Sequence, residues 1–423
     1  MSLGNPLGSA LGNPLGNPLG LARRGGDGSG IGDLRFFTGD PGGNYLPADG
    51  STYAKTLFPK LFSKIGLMGD IARTAPVART LSSSPNWRSV TYGNGVFVAV
   101  SFSGTASTSP DGITWTGRAL PVNTNWQSVT YGNGVFVAVA NGSTIAATSP
   151  DGITWTQRTL PVNTSWQSVT FGNGVFVAVT SVSNTIAATS PDGITWTQRT
   201  LPASASWQSV TFGNGVFVAV TSVSNTIAAT SPDGITWTQR TLPASADWYS
   251  VTFGNGVFVA VTNGSSTIAA TSPDGITWTQ RTLPASANWQ SVTYGNGVFV
   301  AVTNGSSTIA ATSPDGITWT QRTLPASANW QSVTYGNGVF VAVTNGPSTI
   351  AATSPDGITW TQRTLPASAN WQSVTFGNGV FVAVASGSTA AFSWPRFFYD
   401  TTLNFATPQV LPGDGLIPYV RAK

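Results

Sequence analysis

The chain has 423 residues with no Cys and no His, and all fifteen acidic residues are Asp. This composition excludes disulfides, thiolate and imidazole catalysis, and zinc sites built from the usual ligands. Charged residues make up only 8% while Gly reaches 48 and Trp 16, a balance that suits an all-β chain of short strands and tight turns. The net charge is +4, yet the stretch from Trp87 to Trp394 sets eight Arg against eight Asp, so no clustered basic face for nucleic acid is expected.

The amino terminus has no charged segment leading into an apolar core, and the longest recurrent apolar run, VFVAV, is too short to cross a bilayer. A soluble protein with neither signal peptide nor membrane insertion is expected. Residues 1–22 read LGNP, LGSA, LGNP, LGNP and LGLA after the first two residues. Gly and Pro at this density forbid a helix, while a Leu at every fourth position offers a row of apolar knobs. Such a segment buries too little to order itself, which predicts that residues 1–32 form an extended peg docking on another subunit.

Residues 33–66 contain Tyr45, Leu46, Pro47, then Asp49, Gly50, Ser51, Tyr53, and a later Leu61, Phe62, Ile65 and Gly66. Near the carboxy terminus stand Phe405, Pro408 and the closing PYVRAK from Pro418 to Lys423. Together these resemble the two halves of a phage tail-collar module, with Tyr45 where Trp is commoner and the loop between the halves replaced by everything in between. The expected organisation is a peg at 1–32, a first collar-like half at 33–75, an inserted domain at 76–395 and a second collar-like half at 396–423. The resemblance implies a virion protein of a tailed phage, assembled in the host cytoplasm. It also implies a homo-oligomer that docks on other tail or baseplate subunits through residues 1–70 and 396–423.

The inserted region is repetitive. The same unit starts at Trp87, Trp126, Trp166, Trp207, Trp248, Trp289, Trp330 and Trp371, at spacings that settle to 41 residues. A period of about 40 residues with strand chemistry is that of propeller blades. The unit beginning at Asn288 divides at its turn residues into strand a (WQSVTY), strand b (GVFVAV), strand c (STIAAT) and strand d (TWTQRTL), separated by GNG, NGS and PDG. Alternation in VFVAV places Phe136 and its equivalents on one face, with Val and Ala against the other, as a sheet covered on both sides requires.

The strand inventory predicts how the ring closes. The last unit stops at STAAFSWP without a strand d, whereas Ala78, Arg79, Thr80 and Leu81 match the QRTL of a strand d placed before the first unit. The expected fold is therefore an eight-bladed β-propeller of four-stranded blades with a "Velcro" closure, carried by Arg79, Leu81 and Trp394. Both tails then leave at the corner where other blades turn from c to d. The opposite face carries the variable b to c loops, with Asn141, Asn184, Asn225, Asn263, Asn304 and Asn345 as candidate ligand contacts.

At the c to d turn SPDGITW recurs around Asp111, Asp151, Asp192, Asp233, Asp274, Asp315 and Asp356. The carboxylate can accept backbone N–H groups of the turn, Gly supplies the permissive backbone and Trp packs beneath. This resembles a shortened Asp box of sialidase-like propellers. One Asp per blade makes neither a catalytic pair nor a metal cluster, and the arginines equivalent to Arg158 lie one per blade on strand d, solvated or paired with a nearby Asp. No enzyme, metal or cofactor is therefore expected. Strand a, with Gln127, Ser128 and Thr130, is expected to line the central channel. Together with the collar resemblance these features point to a tail-fibre or baseplate adhesin for a host-surface glycan. A purely architectural disc is the main alternative, and a sialidase-like hydrolase a minor one.

Overall fold

The structure is a computed structural model that describes residues 76–81, 86–388 and 390–394, together with the backbone of five short flanking strands. The stretch read as a peg lies outside the described residues, as does most of both collar-like halves. The chain divides into two units, Thr74–Arg396 and a second composed of Met1–Arg73 with Phe397–Lys423. Among the described residues no helix is long and apolar enough to cross a membrane.

In the larger unit each repeat folds as an antiparallel meander. For the repeat opening at Trp126 the strands are Trp126–Gly132 (a), Val135–Ala140 (b), Ser143–Ser149 (c) and Thr156–Thr164 (d), and they pair in the order d, c, b, a. Asn133 and Gly134 join a to b with φ of 46° and 78°, both left-handed. That is the backbone of the two-residue hairpin turn whose twist matches its strands, which Asn-Gly adopts at little cost.

Between the later repeats the chain forms no loop. From the repeat at Trp166 onward strand d runs straight into the next strand a, so that Thr197–Gly213 forms one strand of 17 residues. Pro202 holds a φ compatible with extended backbone. Beyond it, Ala205 pairs with Asn184 at the head of strand c. The PASA spacer is thus held extended by pairing, and successive sheets are stitched together by shared strands.

The core lies between adjacent meanders. Phe136, Val137, Ala138 and Val139 are all fully buried. Ala138, two residues from Phe136, shares its face rather than that of the Val residues: Phe136 and Ala138 pack with Val98 and Val100 of the preceding repeat, while Val137 and Val139 pack with Trp166 and Phe176 of the following one. Every strand b thus serves two interfaces. A second contact is tighter: a Cβ built on Gly132 would sit 2.1 Å from Cγ of Phe171 in the next repeat. The same approach recurs between Gly377 of the last repeat and Tyr92 of the first. Asn378 Nδ2 also donates to the Pro110 carbonyl at 3.4 Å, so the last repeat abuts the first.

Val77–Thr80 pairs antiparallel with Ala390–Trp394, placing Arg79 opposite Ala391 as Arg199 stands opposite Ala187. In the smaller unit Leu34–Phe37 and Tyr45–Pro47 flank Ile417–Arg421 in a three-stranded sheet. Thr52–Ala54 pairs with Asn404–Ala406.

Candidate functional site

The turns between strands c and d are built around single carboxylate oxygens. Asp151 Oδ1 accepts from Ser149 Oγ at 3.0 Å, from the Ile153 N–H at 2.8 Å and from the Thr154 N–H at 3.1 Å. Gly152 takes φ 75°, and a Cβ there would meet Val98 of the preceding repeat at 2.7 Å. Trp155 Nε1 donates to the Gly152 carbonyl at 2.9 Å, closing the turn from beneath. The Ile153 N–H leads the groups that hold the Asp151 carboxyl below its ordinary value, against a smaller opposing effect of burial. Asp274 and Asp315 follow it. At Asp111, Asp192 and Asp233 desolvation is the largest single influence and acts upward, yet the summed hydrogen bonds still lower the pKa.

An ionised carboxylate with one oxygen committed to three donors is a structural acceptor and a poor proton shuttle. The same three bonds recur at Asp356. Among the described residues no group of three or more acidic side chains could hold a metal ion. Each turn leaves one apolar residue outward, with Ile153 at 46% exposure and Ile113, Ile194, Ile235, Ile276, Ile317 and Ile358 alike. The strand d arginines, expected to be solvated or paired with a nearby Asp, bond across to strand c. Arg158 Nε donates to Thr148 Oγ1 at 2.9 Å on strand c, and Arg199 and Arg240 repeat the bond to Thr189 and Thr230. Strand c faces strand d directly at this register, whereas the Asp is folded back into its own turn.

The six loop asparagines fall into different structural places. Asn184 opens strand c: its Oδ1 accepts from the Ile186 N–H at 2.9 Å and from Thr180 Oγ1 at 2.6 Å, and its Nδ2 donates to Thr164 Oγ1 at 3.0 Å. Asn225 repeats this cap with Ile227 and Thr221. Asn263, Asn304 and Asn345 instead end strand b. Asn263 Nδ2 donates to Gln290 Oε1 at 2.9 Å and Asn345 Nδ2 to Gln331 Oε1 at 3.5 Å, turning these amides towards the axis. Asn141, in the shortest of these loops, donates its backbone N–H to the Asn125 carbonyl at 2.8 Å.

The loops themselves are held by the residue ahead of the next strand a Trp. Asn288 Oδ1 accepts from the Gly264 and Ser265 N–H groups at 3.2 and 2.6 Å, fixing Ser265 at φ 50°. Asn329 does the same for Gly305 and Ser306, and Asp247 takes this role at Ser224. Between two such loops lies a cleft of 410 Å³ lined by Ser265, Ser286, Asn288 and Ser306, a surface of hydroxyls and amides.

At the centre is a second cavity, of 440 Å³, lined by Arg88, Gln127, Gln167, Tyr249, Gln290, Gln331 and Gln372 with Asn304 and Asn345. All but the two asparagines directly follow a strand a Trp. They link across repeats: Gln127 Nε2 donates to Gln167 Oε1 at 3.3 Å and Gln290 Nε2 to Gln331 Oε1 at 3.4 Å. Ser128, the next residue, faces elsewhere and accepts the Val169 N–H of the neighbouring repeat at 3.3 Å. Arg88 and Tyr249 were not singled out from sequence. The available signal was their departure from Gln at a position that is Gln in the other six repeats.

The closure residues are equally definite. Leu81 is 1% exposed and packs with Trp87 and Phe97 of the first repeat and Val382 and Val384 of the last. Trp394, buried at the end of strand c, stacks edge-on against Phe392 at 4.7 Å.

A family model described as the DUF6242 beta propeller domain matches residues 245–331, two repeats of the ring and none of the flanks. No curated protein matches the chain in sequence. Among solved structures, the computationally designed Ika8 protein is 9% identical with a TM-score of 0.61, covering 76% of this chain and 100% of its own. Virginiamycin B lyase from Staphylococcus aureus, in a catalytically inactive form with quinupristin, is 11% identical with a TM-score of 0.57 over 75% of this chain and 98% of its own. YCF48 from Cyanidioschyzon merolae is 14% identical with a TM-score of 0.52 over 76% and 99%. At these identities the likeness is one of fold. The paired meanders, the match over two repeats and these neighbours together make the greater part of the chain a β-propeller domain.

Proposed function

We propose that the chain is a tail-fibre or baseplate component of a tailed phage that displays an eight-bladed propeller for attachment to a host-surface glycan. In this reading the eighth blade takes three strands from the end of the repeat region and one, Val77–Thr80, from its beginning. The c to d turns are a shortened Asp box with a structural role only. The observation that carries the reading is the pairing of the two flanks. Tyr45–Pro47 lies against Tyr419–Arg421 and Thr52–Ala54 against Asn404–Ala406, so segments bearing the collar-like residues form sheets although the whole propeller separates them in sequence. Ligand contacts are assigned to the b to c loops, where one cleft of hydroxyl and amide groups lies between the loops at Ser265 and Ser306, and weak contacts would gain from many copies.

A glycan array probed with the full chain tests this. Binding that is lost when the loops at Asn263, Asn304 and Asn345 are replaced supports adhesion, and the absence of binding to any glycan counts against it. The exposed isoleucines of the c to d turns favour a second reading, an architectural disc packed against neighbouring subunits. Electron microscopy of particles separates the two by whether the loop face projects freely.

A further inference from the structure

The axial cavity contains one formal charge. Its lining includes no Asp, and its only ionised side chain is Arg88, set among seven amides of Gln and Asn around Tyr249. Arg88 Nε donates to Gln127 Oε1 at 3.4 Å and Nη1 to Gln372 Oε1 at 3.2 Å, and the guanidinium lies over the Phe102 ring at 4.6 Å. Neutral amide oxygens orient the guanidinium without cancelling its charge. Of its five N–H donors these two bonds use two, leaving a planar edge of the fork for an acceptor. Burial pushes Arg88 below its ordinary pKa, with Tyr249 acting in the opposite sense, and a guanidinium remains charged regardless.

The fold itself does not ask for this cation. Six other repeats place Gln at the same position, and Gln127–Gln167 and Gln290–Gln331 bridge their neighbours without any charge. Tyr249, the other exception, stands four repeats on from Arg88, at the far wall of an eight-bladed ring. The two departures thus put an anion anchor and an amphipathic ring across one cavity from each other. At 440 Å³ the space is within the range of small-ligand sites. A rim of amides suits hydroxyl groups, and a lone cation is too little for a polyphosphate or nucleic acid, which draw on many.

We propose that the axial cavity is a binding site for a single carboxylate-bearing monosaccharide, a uronate in size and charge, with Arg88 receiving the carboxylate and Tyr249 and the ring of Gln side chains receiving the sugar. The site is one per ring and shares only Asn304 with the loop cleft; its test varies Arg88 and Tyr249, which the loop replacements leave in place, so it goes beyond the adhesive reading and does not rest on it. The test is calorimetric titration of the full chain with glucuronate at low ionic strength, beside glucose as the uncharged sugar and acetate as the carboxylate without a sugar. Arg88→Gln writes into the first repeat the residue that six others carry, and Tyr249→Gln does so for the fifth, so both variants keep the fold, as a thermal melt checks. The expected result is one saturable site per chain, with glucuronate at least about tenfold tighter than glucose or acetate and a loss of about tenfold or more in Arg88→Gln, as for a charge-assisted bidentate pair. Tyr249→Gln is expected to weaken glucuronate while leaving acetate unchanged. The proposal is overturned if glucuronate shows no saturable binding, binds no better than glucose, or binds Arg88→Gln as well as the parent. Acetate binding as tightly as glucuronate overturns the assignment to a sugar.

Discussion

Arg79 Nε donates to Ser393 Oγ at 2.8 Å across 314 residues of sequence. It occupies the place that Arg158 and Thr148 hold at 2.9 Å within one repeat. The strand borrowed from the start of the repeats therefore reproduces not only the backbone register of an ordinary strand d but also its side-chain tie to strand c.

Leu81, the last described residue of that borrowed segment, packs at the seam between the first and last repeats. Leu81→Ala should destabilise the domain by about 2–5 kcal/mol, the range for emptying a packed apolar site. Leu242→Ala, at the equivalent position within the ring, should cost the same. Urea denaturation of both variants checks this, and a change below about 0.5 kcal/mol for Leu81→Ala alone would show that the seam adds no stability.

Glycine is required for different reasons at two neighbouring positions. A methyl group on Gly132 would overlap the Phe171 ring of the next repeat, whereas one on Gly134 would meet nothing within 4 Å but sits at φ 78°. Gly132→Ala is expected to cost about 3 kcal/mol through overpacking. Gly134→Ala should cost about 1 kcal/mol through backbone strain alone. Melting curves that rank the two the other way round would refute the interlocking of adjacent strands a.

The aspartates of the c to d turns make stability depend on acid. For Asp151, Asp274 and Asp315 the folded carboxyl titrates below the unfolded one, chiefly because backbone N–H groups bind its ionised form. The stability this adds is fully present above the ordinary carboxylate pKa of about 4 and is lost as pH falls through the lower folded value. The urea midpoint should hold between neutral pH and about pH 5 and then drop. Asp233→Ala should flatten that drop by its share and cost about 1 kcal/mol at neutral pH, since the turn is open to water that partly replaces the carboxylate.

Ile153, Ile235 and Ile317 keep nearly half of their surface exposed. Replacing all three by Thr should leave the melting curve of the isolated protein within about 0.5 kcal/mol per site. Under the architectural reading the same triple variant should be incorporated into particles in fewer copies, which quantitative electrophoresis of virions measures.

Much of the ring was legible because its signals are local. Asn-Gly at 133–134 requires a tight turn, Pro-Asp-Gly at 150–152 another, and the alternation of Phe136 and Val137 assigns each to a different neighbour. What was not legible depended on distance. The PASA spacer reads as a loop, and only its pairing with the head of strand c, Ala205 on Asn184, keeps it extended. Asn184 and Asn263 look alike in sequence, yet a shift of three residues along their loops makes one a strand cap and turns the other towards the axis. Arg158 sits in a strand rich in polar neighbours, and the choice of Thr148 over an Asp is set by cross-strand register. The axial cavity emerges only when residues from seven of the repeats are gathered at the centre.

Val77 and Ser393 are direct backbone partners, so the ring domain is tethered by both ends at a single clasp. A mechanical load pulled through residues 76 and 395 falls first on those few paired residues and peels them apart one after another, while the stitched strands beyond, such as Thr197–Gly213, bear none of it. The clasp is thereby the one place where such a load meets only four paired residues.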